Sequence, residues 1–442
     1  MEHFAIFAPP FPSHIRALEA LASQLIDFGH AVSWIHQADV KKYITDHRIG
    51  FRAVGRASHP YASLQCIHRR AANPGSLSGL RRVISDIADS TDMLCAEGPQ
   101  VLKSLKVTAI IADQMEAAGG LVAEGLKLPF ISVACALPVN REPAVPLPVM
   151  PWAYATSQKA LELNKTSTRI YDWLMKPHAR VISKYSKRFG LPLKLTLADC
   201  LSPLAQLSQT TADFDFPRTL LPVYFYHVGP LRGALKTAGA LKFAVDARHP
   251  FVFASLGTLQ GARFHLFMRI ALACKSLQLQ LLIAHCDHLD GRQEQLLREA
   301  GATWVTGFAD QQAAVKMADV VVTHGGLNTV LDALAASTPM LVLPVAFDQP
   351  GVATRVVHAG AGLKLTPRWA TETSIANALD RLIREPGFSQ HAERIGQGIA
   401  LAGGTYQAAQ IVLSAIARYP AMTVAPPDRT PLYLDESQAY AT

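Results

Sequence analysis

The sequence predicts an α/β protein built from two doubly wound parallel sheets, and three observations predict it. Short β-branched or aromatic runs alternate with stretches of helical apolar spacing in both halves of the chain. Those runs are apolar throughout rather than alternating with polar residues, as strands buried on both faces require. The chain, at 442 residues, is too long for one ordinary core, and with half its residues hydrophobic and 17% charged it has the composition of a globular protein.

The first half opens on a strand at 3–8, HFAIFA, followed by helical spacing over 13–25. Where a nucleotide-binding βα turn would place glycines, this chain has Pro9, Pro10, Pro12 and then His14. Further strands are predicted at 31–36, 107–112 and 130–134. The alternation breaks over 135–155, CALPVNREPAVPLPVMPWAYA, where prolines at 138, 143, 146, 148 and 151 exclude helix and central strand. A semi-rigid apolar loop after a strand C-terminus is where α/β domains bind ligands; the same composition also fits a stiffened surface connection.

The segment 229–249 is short in large apolar residues and precedes a fresh strand, which makes it the linker between a first domain, 1–228, and a second, 250–402. In the second half strands are predicted at 251–255, 280–284, 303–306, 319–323 and 340–343. A helix at 403–420 is expected to pack back on the first domain, and 421–442 has the proline and small polar content of a tail.

The strongest chemical signal is ADVVVTHGGLNTVLDAL. A buried strand runs into Thr323, His324, Gly325 and Gly326, and a helix begins near Leu327. Two glycines let a ligand approach the backbone, and the helix start offers unpaired N–H groups and a positive dipole end to a phosphate. His324, Asn328 and Thr329 add side-chain donors, and Asp332 one turn later is a candidate for a ribose hydroxyl. The tetrapeptide alone fits an ordinary capped βα turn equally well, but its surroundings extend the pattern. Asp348 and Gln349 follow the next strand and suit paired sugar hydroxyls; Phe308 and Gln311 follow another and suit a base and a ribose. Ser255, Gly257 and Thr258 stand at a fourth strand end. Four such termini converging would form a sugar-nucleotide site.

This constellation resembles the donor signature of the UDP-sugar-dependent glycosyltransferases of the GT-B fold. The plant form reads His-Cys-Gly-Trp-Asn-Ser, then Glu, then Asp-Gln; here His324, Gly326, Asn328, Thr329, Asp332, Asp348 and Gln349 fall at the matching offsets, with Asp348 24 residues after His324. Phe308 stands where the plant members stack a Trp under uracil, Asp310 where they have Pro, and the spacer to the histidine is two residues shorter. Asp332 is one methylene shorter than the family Glu, so a single or water-bridged ribose contact is expected. The stretches PPFPSHIRALEALA, GFRAVG, VACALPVNREP, YDWLM, FASLGTLQG, THGGLNTVLDA and AFDQPGVA are similar to carotenoid-glucosylating bacterial members. That similarity implies two Rossmann-like domains facing across a cleft, UDP-glucose as donor, and the terminal ring hydroxyls of a lipophilic C40 xanthophyll as acceptor.

The resemblance also implies a histidine at the first strand-to-helix turn and an aspartate from a later strand end; His14 and Asp113 match those places. An acceptor alcohol must lose its proton as it attacks, and imidazole is tuned for that near neutral pH. A carboxylate on its other nitrogen would fix the tautomer and stabilise the imidazolium. Attack opposite UDP would invert the sugar carbon, and no metal or other cofactor is expected. The candidate acceptor contacts are Phe11, Pro138, Pro146, Met150 and Trp152.

A formal net charge of +8 favours anionic partners, but the basic residues read as scattered along the sequence and no nucleic-acid partner is expected. The six cysteines form no CxxC, and Cys135 reads as apolar filler in a strand, so neither a disulfide framework nor zinc is expected. The chain opens on a strand and lacks a long uncharged apolar run, so a cytoplasmic protein is expected, at most peripheral at the inner face of the plasma membrane. Asp213-Phe214-Asp215 imitates a metal-binding DxD but better fits a turn before Pro217, and no GxGxxG follows the first strand, which argues against NAD or FAD. Other acceptors (a sterol, polyketide or phenol), a UDP-sugar epimerase and a catalytically silent sugar-nucleotide sensor remain alternatives.

Overall fold

The computed structural model describes residues 1–233, 241 and 243–422. The expected linker therefore lies partly, and the expected tail almost wholly, outside the described residues. The first domain carries a parallel sheet of β1 (His3–Phe7), β2 (Ala31–His36), β3 (Gly50–Ala53), β4 (Ala109–Asp113), β5 (Phe130–Ala134), β6 (Gln206–Ser208) and β7 (Phe225–His227) in the order β3-β2-β1-β4-β5-β6-β7. The second carries β8 (Phe251–Ser255), β9 (Gln280–Ala284), β10 (Trp304–Thr306), β11 (Val320–Thr323), β12 (Met340–Val342) and β13 (Gly362–Lys364) in the order β10-β9-β8-β11-β12-β13.

Continuous apolar strands put alternate side chains into two cores, one on each face of the sheet. In β1, Phe4 and Ile6 join one buried cluster with the helix Pro12–Asp27, while Ala5 and Phe7 join the other with the helix Ala117–Leu126. In β8, Val252 and Ala254 divide from Phe251 and Phe253 in the same way. The helix Gly404–Met422 sends Ala408, Val412 and Ile416 into the first domain's cluster, although it follows the second domain in sequence. No single described helix is long and apolar enough to cross a membrane; the bent pair Gly387–Leu401 and Gly404–Tyr419 passes that test only together, and its Ala392, Ile395, Ala408 and Val412 are buried in the two domain cores.

Both sheets reverse direction of winding at one place, between β1 and β4 and between β8 and β11. At such a switch point the connections leave on opposite faces and a crevice opens beyond the strand C-termini. β1 pairs with β4 from Phe4 opposite Ala109 to Phe7 opposite Ala112, and β8 pairs with β11 up to Ser255 opposite Thr323. His14 and Asp113 therefore belong to one crevice, and Gly257 and His324 to the other.

The domains meet through a buried ion pair. Arg355 Nε donates to Asp215 Oδ1 at 2.6 Å, with both side chains 1% exposed, and the guanidinium carbon lies 4.2 Å from the Phe216 ring centroid. Arg218 donates to the other Asp215 oxygen at 3.0 Å. The DFD motif is thus an interdomain lock.

Candidate active site

A cavity of about 1500 Å³ runs between the two crevices and is lined from both domains. That exceeds the ~300–1,000 Å³ of a single small-ligand site and leaves room for two substrates.

On the first-domain side, Phe11 caps the helix in extended conformation and Pro12 occupies its first turn, where a missing N–H costs nothing. The turn holds His14 over the end of β4, with Nδ1 2.7 Å from Asp113 Oδ2. A carboxylate only accepts, so Nδ1 carries the proton and Nε2 is left as the acceptor. The Met115 N–H holds Asp113's other oxygen at 2.8 Å. Burial alone would lower the His14 pKa, but the Asp113 carboxylate, its hydrogen bond and the more distant Asp348 together raise it above the ordinary histidine value.

Cys135 is a correction to the reading as strand filler. It lies just past β5 with its sulfur within 4.8 Å of the ligating atoms of His14 and Asp113. Burial and Asp113 push its thiol well above the usual value, so it stays protonated beside the carboxylate. Asp113's two oxygens are engaged by His14 and the Met115 N–H, and the Cys135 thiol stands beside them as part of one acid–base cluster.

On the second-domain side, the helix Leu327–Ala335 points its N-terminus into the cavity. His324 is packed so tightly that a Cβ at Gly257 would meet its ring at 2.5 Å, and one at Gly326 at 2.7 Å. Burial pushes His324 down to about 4, so it offers a neutral N–H donor rather than a charge. Gly326, at φ −61° and ψ 125°, has an extended backbone open to any residue, so a substitution there acts through the ring alone. Gly326→Ala is expected to displace His324 and weaken UDP binding roughly 10- to 100-fold, the value of a hydrogen bond to a charged group. Isothermal titration with UDP checks this.

Gly257, Thr258, Gln311, His324, Gly326, Asn328, Thr329, Asp348 and Gln349 line the cavity, whereas Ser255, Phe308, Gly325 and Asp332 do not. Ser255 is buried beneath the turn, accepting from the Gly257 N–H at 3.4 Å. Phe308 is 60% exposed. Gly325, at φ +88°, shapes the turn against Val342. Asp332 stands behind the lining residues, with Arg232 2.8 Å from its carboxylate and Gln311 donating to it at 2.8 Å. Gln349 uses its amide oxygen to hold the Val345 and Ala346 N–H groups, both at 2.8 Å.

The acceptor list is also corrected. Phe11 and Met150 line the cavity; Pro138, Pro146 and Trp152 do not. Pro138 and Pro146 are buried away from it. Trp152 follows Pro151, whose carbonyl is held by Lys364 of the second domain at 3.1 Å, so the loop has left the cavity there. Leu137, Val139, Leu147, Pro148 and Val149 are the loop's lining residues instead.

Several bridging contacts and lining residues had no sequence signal. Asn328 donates to the Ser13 carbonyl at 3.2 Å, and the Leu137 N–H donates to Asp348 at 3.3 Å, so the second domain is tied both to the His14 turn and to the proline-rich loop. Arg232 reaches from the segment after β7 to Gln209, Asn328 and Asp332. Glu116 lines the cavity floor, pushed up to about 7 by burial despite donors from Thr91, Ser90 and the Ala118 N–H.

Comparison with known proteins places this geometry. Residues 70–397 match the family model described as UDP-glucoronosyl and UDP-glucosyl transferase. The chain is 48% identical over 413 residues to the zeaxanthin glucosyltransferase of Pantoea ananas, covering 93% of this chain and 95% of that protein. It is 45% identical to the zeaxanthin glucosyltransferase of Pseudescherichia vulneris, over 94% of this chain and 98% of that one. Among solved structures, the glycotransferase of kitacinnamycin superposes with a TM-score of 0.74 at 18% identity, over 94% and 99% of the two chains. The calicheamicin glycosyltransferase CalG4 gives 0.73 at 17% identity, over 96% and 100%. These likenesses identify the fold as GT-B.

Proposed function

The chain belongs to the UDP-glucuronosyl and UDP-glucosyl transferase family, and from that premise we propose that it transfers glucose from UDP-glucose to the ring hydroxyls of zeaxanthin with inversion. The observation that carries the reading is the His14–Asp113 pair at 2.7 Å, facing His324 and the Leu327–Ala335 helix start across one cavity. An acceptor hydroxyl hydrogen-bonds to His14 Nε2 and attacks C1 of the sugar from the face opposite the diphosphate. The C1–O bond to UDP breaks as the new glycosidic bond forms, and the hydroxyl proton passes to Nε2. Asp113 holds the resulting imidazolium, as in a triad without its nucleophile. His324 and the helix N-terminus take the charge that develops on the leaving diphosphate, while Asp348 and Gln349 face the hexose. Every charge in this step is met by a side chain or a backbone N–H, so we assign it no metal.

The donor and acceptor identities rest on the Pantoea and Pseudescherichia relatives, and the mostly apolar lining supplied by Phe11, Leu137, Leu147 and Met150 suits a polyene. Purified protein given UDP-glucose and zeaxanthin in non-ionic detergent is expected to yield glucoside and UDP in equal amounts. Glucosylation of a sterol, polyketide or phenol but not zeaxanthin would overturn the acceptor assignment. UDP-sugar interconversion without an acceptor would overturn transfer itself.

A further inference from the structure

The geometry points to the consecutive helices Gln158–Leu174 and Lys176–Arg188, with the following segment to Leu195, as a docking surface for an anionic lipid bilayer through which the acceptor enters the cavity. This rests on the lipophilic acceptor proposed above and adds the surface that meets the membrane.

The basic residues are not scattered once charge is followed in space. Residues 157–200 hold nine Lys or Arg against three Asp or Glu; Asp92 and Glu124 of neighbouring helices pair with Lys184 and Lys194, and the remaining surplus is positive. Arg169, Lys176, Arg180 and Lys187 are exposed and have no ion pair among the described residues. All four stand at the cavity's edge, together with Ile170, Trp173 and Leu195. Those three apolar side chains are 54%, 53% and 48% exposed, and Leu193 beside them is 63% exposed. A cluster of large exposed apolar residues ringed by cations marks an interaction surface rather than a solvated one. An indole at the edge of a basic face is suited to the headgroup region, and long basic side chains lay their stems on apolar surface while keeping their charge near phosphate.

Two features select a bilayer as the partner. The positive surplus complements anionic headgroups at close to one unit of favourable interaction per cation. The same Ile170, Trp173 and Leu195 that face solvent also line the cavity, so the apolar patch and the apolar tunnel are continuous. A polyene can then pass from acyl chains to His14 without crossing water.

The test is flotation of the purified full chain with phosphatidylcholine vesicles, with and without phosphatidylglycerol. Binding is expected only with the anionic lipid, and should weaken steeply with salt. The variant carrying Arg169→Glu, Lys176→Glu, Arg180→Glu and Lys187→Glu should lose at least roughly 100-fold in vesicle affinity while still binding UDP, which reports its fold. Trp173→Ala with Ile170→Ser should also weaken binding. No binding of the parent protein to anionic vesicles, or equal binding by the charge-reversed variant, would overturn the proposal. Transfer to zeaxanthin in detergent micelles tests the acceptor reading separately, because it needs no bilayer.

Discussion

His14→Ala is expected to lower kcat on the order of 10²- to 10⁴-fold, the usual share of a positioned general base, while UDP affinity stays unchanged. The donor-side groups lie on the other domain, and His14 is held by Asp113 rather than by any of them. The pH profile gives a second, independent readout. The base must be neutral, so rate rises with pH through the His14 pKa. Burial opposes the imidazolium, but Asp113 and Asp348 raise that pKa above 6.5, so the rising limb should be centred above 6.5. Asp113→Asn removes the main raising influence and leaves burial; the limb should move to lower pH as the rate falls, since the amide no longer fixes the tautomer. A limb that stays in place in Asp113→Asn would refute the pairing. The same raised pKa makes the pair stabilising below the unfolded histidine value, a contribution lost as pH rises through the folded one.

What was legible in the sequence follows from how locally each feature is encoded. The long apolar strands, β1, β2, β5, β8 and β9, declare themselves because burial on both faces demands an unbroken apolar run. β3, β6, β7 and β13 are three or four residues long and read GFRA, QLS, FYH and GLK; pairing with a neighbour, not their own composition, makes them strands. His324, Gly326, Asn328 and Asp348 were visible because a βα turn concentrates its ligand groups within a few residues. Arg232 was not, since it sits in a segment of linker composition and meets Asp332 100 residues away. Cys135 shows the same limit: nothing in FISVACAL tells that the residue after the strand abuts the neighbouring strand's Asp113.

Asp215 makes the point most sharply, and Asp215→Ala is expected to destabilise the protein by about 3–5 kcal/mol. Its sequence context imitates a metal motif, yet its partner is Arg355, 140 residues on and in the other domain. Burial alone would raise the Asp215 carboxyl, but Arg355 and Arg218 hold it at about 2. A carboxylate so depressed contributes stability above its unfolded pKa near 4, and that contribution is lost as pH falls toward about 2. Removing it leaves the Arg355 guanidinium buried without a carboxylate, and it is that uncompensated charge, rather than the lost attraction, that sets the cost. Urea unfolding at neutral pH measures it as a lower midpoint of the first transition, with the second domain's own melting less affected. The double variant Asp215→Ala with Arg355→Met should recover most of the loss, because an apolar side chain can pack on the Phe216 ring that now lies under the guanidinium. If the single and double variants are equally unstable, the ion pair is not what joins the domains. Because Asn328 touches the His14 turn and Asp348 the Leu137 loop across the same seam, the single variant should also transfer more slowly before it unfolds, as the acceptor and donor crevices lose their fixed separation.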